Sequence, residues 1–167
     1  IPVNVPDDAP VKGLSDMAVI ESGVIDSDYA LVCDLETLTA VAGLRATERM
    51  YPASLTKLMT FIVAYETAPD LTVLIEITKE LKNQYPEGSR KGIDVGDLMS
   101  VEQMLYALLL ESDTDAALGL AFHVAGSEAA FVELMNRKAE EMGLESTHFV
   151  NVTGLHDDKH YSTAADM

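Results

Sequence analysis

A serine and a lysine three residues apart are the first groups in this sequence that could carry out covalent chemistry. Ser54 and Lys57 have the spacing that puts two side chains on one face of a helix. A serine hydroxyl is a weak nucleophile until a base accepts its proton, and lysine can be that base when burial disfavours its charged form. The same amine could then return the proton to a leaving group, so the pair predicts acid and base catalysis by one side chain.

The same two residues also have an ordinary structural interpretation. Ser54 could cap the N-terminus of a helix, and Lys57 could extend its ammonium group to water. Against this, residues 54–65 are apolar nearly all round, and Lys57 is their only ionisable group before Tyr65. Burying a lysine in an apolar helix costs free energy. Both interpretations therefore stay open at this point.

A second polar group lies 58 residues further along the chain. Ser112, Asp113 and Thr114 interrupt two apolar segments, and a polar break between buried helices can present hydroxyl groups to a cleft. The alternative is that Ser112 or Thr114 simply caps the next helix. Taken alone, this group does not decide between the two.

The elements that must position these residues follow an α+β pattern. Residues 29–34 and 38–43 are rich in small and β-branched apolar residues, which predicts an antiparallel hairpin. Residues 54–66, apolar nearly all round, predict a buried helix that carries the serine and lysine. Residues 100–142 predict an all-helical subdomain, in which Ser100 and Gln103 have the spacing of a capping box. Glycines at 126 and 143 stand where helices need a left-handed cap.

The outer parts of the chain give weaker patterns. Residues 1–16 are rich in proline and predict an extended, weakly anchored arm ahead of a domain over 17–167. Residues 71–77 fit a short strand or a helix, and 85–89 predict a loop. Residues 162–167 predict the first turn of a helix.

Charge and cysteine content exclude several classes of function. The formal net charge is −17, which disfavours binding to nucleic acid and to anionic membrane surfaces. The single cysteine, Cys33, excludes an internal disulfide framework, and its apolar neighbours predict a small buried thiol in a strand.

His148, His156 and His160 lie near two aspartates, but we expect ordinary solvated histidines and no metal. The spacing of Phe131, Leu134, Met135 and Met142 predicts a core stripe.

Three segments contain the residues that suggest chemistry and a later loop: 51–60, YPASLTKLMT; 101–117, VEQMLYALLLESDTDAA; and 154–167. In this order they resemble a known family, the serine D-alanyl-D-alanine carboxypeptidases, which are low-molecular-mass penicillin-binding proteins related to serine β-lactamases. The first segment is similar to the family's nucleophile segment, and the second resembles the helix that leads to its second motif. The third resembles a later loop and helix start.

The resemblance implies roles for individual residues. Ser54 would be acylated by a peptidoglycan stem peptide ending in D-Ala-D-Ala, and Lys57 would be its base. Ser112 would relay a proton toward the leaving amine, while Ala53 and Thr114 would lie against the substrate. The backbone N–H of Ser54 would form half of an oxyanion hole. Neither a cofactor nor a metal is implied.

The sequence departs from the family pattern in two places. The second motif of the family is Ser-x-Asn, whereas this chain has Thr114, whose hydroxyl cannot replace both the donor and the acceptor of an amide. The Lys-Thr-Gly motif is absent, since Val152-Thr153-Gly154 lacks the cation. The family places that strand beyond the end of this chain. We therefore expect the N-terminal part of a penicillin-binding fold, with an antiparallel sheet and a helical subdomain but without the C-terminal strands of the sheet.

These implications define partners, location and rival functions. The expected partners are the D-Ala-D-Ala stem peptide, β-lactam antibiotics, and either a second polypeptide or another copy of the chain at the unpaired edge of the hairpin. The resemblance also implies export to the bacterial cell envelope, with any membrane anchor outside this segment. The alternatives are a non-catalytic peptidoglycan-binding relative and a serine β-lactamase.

Overall fold

The computed structural model describes residues 11–84 and 92–167, which divide into two compact units. The predicted loop over 85–89 lies outside the described residues. Residues 11–51, 139–148 and 161–167 belong to the first unit, and residues 52–84, 92–138 and 149–160 belong to the second.

The first unit contains a three-stranded sheet. Strands β2 (Ala30–Asp34) and β3 (Thr39–Leu44) form the predicted antiparallel hairpin, with a register shift between Val32 and Cys33. Strand β1 (Ala18–Val19) pairs with β3 in parallel, which gives the order β1-β3-β2. The hairpin prediction is confirmed, and the parallel strand was not foreseen because two residues are too few to show a periodicity.

Two other predictions for the first unit need correction. Of the predicted arm over 1–16, residues 1–10 lie outside the described residues, whereas residue 12 is anchored, because the Lys12 backbone N–H donates to Leu38 O at 2.8 Å and Lys12 O accepts from Ala40 N at 2.8 Å. Cys33 does lie in a strand, but it is half-buried rather than buried, since β2 has a neighbour on only one side among the described residues. The end of the chain forms a turn, closed by the bond from Met167 N to Thr163 O at 3.0 Å.

The second unit is mainly helical. Its elements are α1 (Thr56–Thr67), β4 (Leu74–Glu76), α2 (Lys79–Lys82), β5 (Leu98–Ser100), α3 (Val101–Leu110), α4 (Thr114–Ala125) and α5 (Glu128–Glu141), except for residues 139–141 of α5, which are assigned to the first unit. Strands β4 and β5 pair in antiparallel fashion, so the ambiguous segment 71–77 contains a short strand, Leu74–Glu76, rather than a helix.

The core of the second unit is formed where α1, α3 and α4 pack together. Gly119 on α4 permits one close approach, because a Cβ there would lie 2.9 Å from the sulfur of Met104 on α3. Side chains of these three helices, and two of α5, are almost fully inaccessible to water: Met59, Val63, Ala64, Val101, Met104, Leu108, Leu118 and Leu120, with Phe131 and Met135 on α5.

The helix ends follow the sequence closely. Ser100 Oγ accepts from Gln103 N at 3.1 Å while Gln103 Oε1 accepts from Ser100 N at 2.8 Å, so the predicted capping box is confirmed. Gly126 ends α4 in the left-handed conformation, with φ of 76°. Gly143 follows α5 with φ of 71°. The two glycines therefore stand where the sequence placed them.

The helix that carries the serine and lysine is less buried than predicted. Leu55, Leu58 and Tyr65 are 48%, 44% and 55% exposed, so one side of this apolar segment faces outward. The predicted core stripe is also incomplete, since Phe131 and Met135 are buried whereas Leu134 is half-buried and Met142 is 42% exposed.

Among the described residues no single helix is long and apolar enough to cross a membrane. Only the consecutive helices α4 and α5, which are bent by 85° relative to each other, meet those limits jointly.

Candidate active site

Ser54 lies in a strained turn immediately before α1. Residues Ala53–Leu55 form one 3₁₀ turn, in which Leu55 N donates to Pro52 O at 3.0 Å. Ala53 has φ of 47°, a conformation that costs an L-residue free energy and that is found mainly at functional sites. Both Ala53 and Ser54 are exposed. The turn thus presents the serine hydroxyl at the surface while the helix begins behind it.

Lys57 lies in the first turn of α1 and is only 4% exposed. Its Nζ donates to Ser54 Oγ at 3.4 Å and to the backbone carbonyl of Thr153 at 2.7 Å. Residue Leu55 caps α1 without any side-chain hydrogen bond. The interpretation in which Ser54 caps the helix and Lys57 extends to water is therefore wrong.

Burial lowers the pKa of the Lys57 ammonium from its ordinary value, because the apolar surroundings disfavour the charge. The Asp113 carboxylate acts in the opposite direction, but its effect is smaller. The net direction is downward, which increases the fraction of neutral amine near neutral pH. A neutral amine within reach of an alcohol is the arrangement that general base catalysis requires.

The break between α3 and α4 contains the second polar group. Ser112 is half-buried with φ of 54°, a second strained residue. Asp113 caps α4, since its Oδ1 accepts from Ala116 N at 2.8 Å. The alternative in which Ser112 or Thr114 caps this helix is therefore wrong, because Asp113, between them, is the N-cap residue and its carboxylate accepts from the Ala116 N–H. Thr114 is the first residue of α4 and is 2% exposed.

The structure brings some of the predicted residues together and leaves others apart. Ser54 and Lys57 are in contact, and the charge of Asp113 reaches Lys57. Within the described ranges, no hydrogen bond joins Ser112 or Thr114 to either of them.

A tight turn over residues 151–155 supplies the carbonyl that holds Lys57. Asn151 Oδ1 accepts from Thr153 N at 3.1 Å and from Gly154 N at 2.7 Å, and Asn151 Nδ2 donates to Leu155 O at 2.8 Å. Gly154 has φ of 85°. A Cβ there would collide with the carbonyl group of Ala53 and lie 3.0 Å from Ser54 N. Glycine is therefore needed both for the conformation and for the close approach.

Of the three histidines near residue 150, only His156 is solvated as expected. His160 is 2% exposed rather than solvated, and its Nε2 lies 2.7 Å from Thr56 Oγ1. His156 is exposed, and His148 is half-buried in the first unit. In the parts of the chain that the structure describes, no three His, Cys, Asp or Glu side chains converge on a point where a metal ion could bind.

Sequence reasoning missed four participants in this site: the Thr153 carbonyl, Gly154, His160 and the capping role of Asp113. A backbone carbonyl leaves no trace in the residue type. The Asn-x-x-Gly order at 151–154 is a usable indication of a turn, but the turn's partner lies almost 100 residues away.

Comparison with known families gives a direct match. A family model described as D-alanyl-D-alanine carboxypeptidase matches residues 16–167. The D-alanyl-D-alanine carboxypeptidase DacF of Bacillus subtilis is 36% identical over 145 residues, which cover 85% of this chain and 37% of the relative. DacC of Escherichia coli is 33% identical over 156 residues, covering 89% of this chain and 39% of the relative. The chain thus spans less than half the length of these curated relatives.

Solved structures agree with the sequence matches. Penicillin binding protein 5 from Haemophilus influenzae superposes with a TM-score of 0.78 and 28% identity, covering 88% of this chain and 44% of that one. The carboxypeptidase DacD from Francisella tularensis superposes with a TM-score of 0.77 and 32% identity, covering 85% of this chain and 35% of that one. The predicted fold class, the N-terminal part of a penicillin-binding fold, is thereby confirmed.

Proposed function

This chain belongs to the D-alanyl-D-alanine carboxypeptidase family of low-molecular-mass penicillin-binding proteins, and from that premise we propose that its protein removes the terminal D-alanine from peptidoglycan stem peptides. Ser54 is the nucleophile and Lys57 its base. The observation that carries the proposal is the position of Lys57 Nζ, buried and held between Ser54 Oγ and Thr153 O.

The reaction proceeds in two steps, acylation of Ser54 and hydrolysis of the resulting ester. Neutral Lys57 takes the Ser54 hydroxyl proton as Oγ attacks the carbonyl carbon of the penultimate D-alanine. Collapse of the tetrahedral intermediate breaks the amide bond, and the proton passes through Ser112 to the departing amine of the last D-alanine. Water then attacks the ester carbonyl carbon, the bond from that carbon to Ser54 Oγ breaks, and a proton from the water returns to Oγ as the shortened peptide leaves. The Ser54 N–H is one donor to the developing oxyanion, and Ala53 and Thr114 lie against the substrate.

A labelled penicillin tests this proposal on the intact protein. A long-lived adduct that maps to Ser54 and disappears in Ser54→Ala supports a carboxypeptidase. Rapid turnover of the penicillin would indicate a serine β-lactamase instead. The absence of any adduct would indicate a non-catalytic protein and would contradict the proposal.

The family match does not favour the second candidate, a non-catalytic peptidoglycan-binding relative with a degenerate second motif, and its one support is residue 114. Thr114 is 2% exposed at the start of α4, where the family pattern has an asparagine. A threonine there offers a hydroxyl but not the paired amide donor and carbonyl acceptor. Binding of muropeptides without release of D-alanine would identify this candidate.

The proposed partners and location follow from the same family. The partners are stem peptides ending in D-Ala-D-Ala and β-lactams, and the location is the cell envelope, reached by export. Strand β2 has a neighbour on one side only among the described residues, so we propose that a further strand, from the same protein, a second polypeptide or another copy, pairs there. Chemical cross-linking of the intact protein, with the site of each cross-link mapped, distinguishes the three sources.

A further inference from the structure

His160 is a buried imidazole whose two ring nitrogens both have polar neighbours. The backbone N–H of Val150 donates to Nδ1 at 3.1 Å, and Nε2 lies 2.7 Å from Thr56 Oγ1. The ring also packs edge-on against Phe149, with centroids 5.6 Å apart. Because an N–H donor faces Nδ1, that nitrogen must keep its lone pair. A neutral ring with this contact carries its proton on Nε2, from which it can donate to the Thr56 hydroxyl oxygen.

Both partners of His160 adjoin the groups that hold the reacting pair. Thr56 lies between Ser54 and Lys57 in the chain, in the first turn of α1. Val150 begins the short stretch that leads to Thr153, whose carbonyl binds Lys57 Nζ at 2.7 Å. His160 thus joins the helix that carries the lysine to the loop that carries the lysine's acceptor.

Side chains from two helices fix the rest of this loop. Thr60 Oγ1 donates to Val152 O at 2.8 Å, and Glu128 Oε1 accepts from Val152 N at 3.0 Å. Asn136 Nδ2 donates to Phe149 O at 2.8 Å, while Asn136 Oδ1 accepts from Phe149 N at 2.8 Å. Because these bonds fix the backbone groups of Phe149 and Val152, the loop presents the Thr153 carbonyl in one direction. Of the described side chains that bond to this loop or belong to it, His160 is the one that contacts the hydroxyl of Thr56, the residue next to Lys57.

We propose that His160 is a positioning residue for the Ser54–Lys57 pair, and that it acts as a neutral imidazole with its proton on Nε2. It keeps the Thr153 carbonyl directed at Lys57 Nζ, and so keeps that amine beside Ser54 Oγ. The expected effect of His160 on acylation rests on the proposed function, whereas the tautomer of His160 does not. It assigns no proton transfer to His160 itself.

The kinetic test measures penicillin acylation of the intact protein, with the acylation rate constant separated from the initial binding constant. His160→Ala lowers the acylation rate constant by about 10-fold to 100-fold, the loss expected when reacting groups are slightly misplaced, and leaves initial binding little changed. His160→Gln restores much of the rate, since its amide offers both an acceptor and a donor. His156→Gln, in the same loop but exposed, is the matched control and keeps the wild-type rate.

A second pair of variants covers the case in which His160→Ala fails to fold. Thr56→Val removes the oxygen that Nε2 contacts and slows acylation, whereas Thr56→Ser keeps the hydroxyl and restores the rate. Wild-type kinetics in folded His160→Ala or in Thr56→Val would overturn the inference while leaving the proposed function intact.

Nitrogen-15 NMR of histidine-labelled protein tests the tautomer without any reaction. The resonances assigned to His160, identified as those lost in His160→Gln, should show a protonated Nε2 and an unprotonated Nδ1 at neutral pH. A proton on Nδ1, or an imidazolium, would overturn the inference. If the wild-type protein forms no penicillin adduct, the proposed function fails, and these resonances still decide the inference.

Discussion

The closest backbone approach in the candidate site, Gly154 against the turn that holds Ser54, gives a quantitative prediction for Gly154→Ala. An alanine Cβ would overlap the carbonyl group of Ala53 and stand 3.0 Å from Ser54 N. It would also have to adopt φ of 85°. The substitution therefore combines a conformational penalty with a steric one, and something in the turn must move.

The two penalties can be estimated separately. A left-handed conformation costs an L-residue about 1–2 kcal/mol, and overpacking costs about 1–3 kcal/mol. Gly154→Ala should thus lower the free energy of unfolding by about 2–5 kcal/mol. At about 2–4 °C per kcal/mol, Tm should fall by roughly 4–20 °C. Acylation should slow as well, because the turn that moves carries the Thr153 carbonyl bound to Lys57.

Gly126→Ala is the matched control for this substitution. Gly126 has φ of 76°, and a Cβ there would meet no atom within 4 Å, so only the conformational penalty applies. Denaturant unfolding of both variants, with penicillin acylation rates measured alongside, separates the two contributions. If Gly154→Ala and Gly126→Ala lose the same free energy of unfolding, and Gly154→Ala is acylated at the wild-type rate, then no steric penalty acts at position 154 and the prediction is wrong.

Three other substitutions test neighbouring parts of the account. Asp113→Asn keeps a capping oxygen for α4 but removes the charge that raises the pKa of Lys57, so the rise of the acylation rate with pH should move to lower pH; a move to higher pH would contradict this. Thr114→Asn should increase the acylation rate if the second motif is weakened, and an unchanged rate would show that it is not. Ser100→Ala removes one half of the α3 capping box and should cost about 1 kcal/mol in thermal unfolding without changing acylation, whereas no change in Tm would contradict the role of the cap.

Local features of this fold could be predicted from the sequence because their causes are local. The Ser100 capping box, the left-handed glycine after α4 and the hairpin all depend on residues within a few positions of one another. The three-residue spacing of Ser54 and Lys57 belongs to the same class, although Ser54 lies in a 3₁₀ turn rather than in α1 itself.

The remaining features could not be predicted because their causes are distant along the chain. The Lys57 amine is held by a carbonyl 96 residues away, and the Thr56 hydroxyl contacts an imidazole 104 residues away. Neither the direction of the Thr153 carbonyl nor the burial of His160 can be deduced from the residues that adjoin them in the sequence. The strained conformations of Ala53 and Ser112 were hidden for the same reason, since tertiary contacts must hold an L-residue at positive φ.

Burial lowers the pKa of Lys57, whose amine lies beside the Ser54 hydroxyl. An NMR titration of the Lys57 side chain, with its resonance assigned by comparison with Lys57→Met, measures that pKa. We expect it to lie below the ordinary value of a lysine side chain. An ordinary or raised pKa would show that Lys57 is not the neutral base on which the proposed reaction depends.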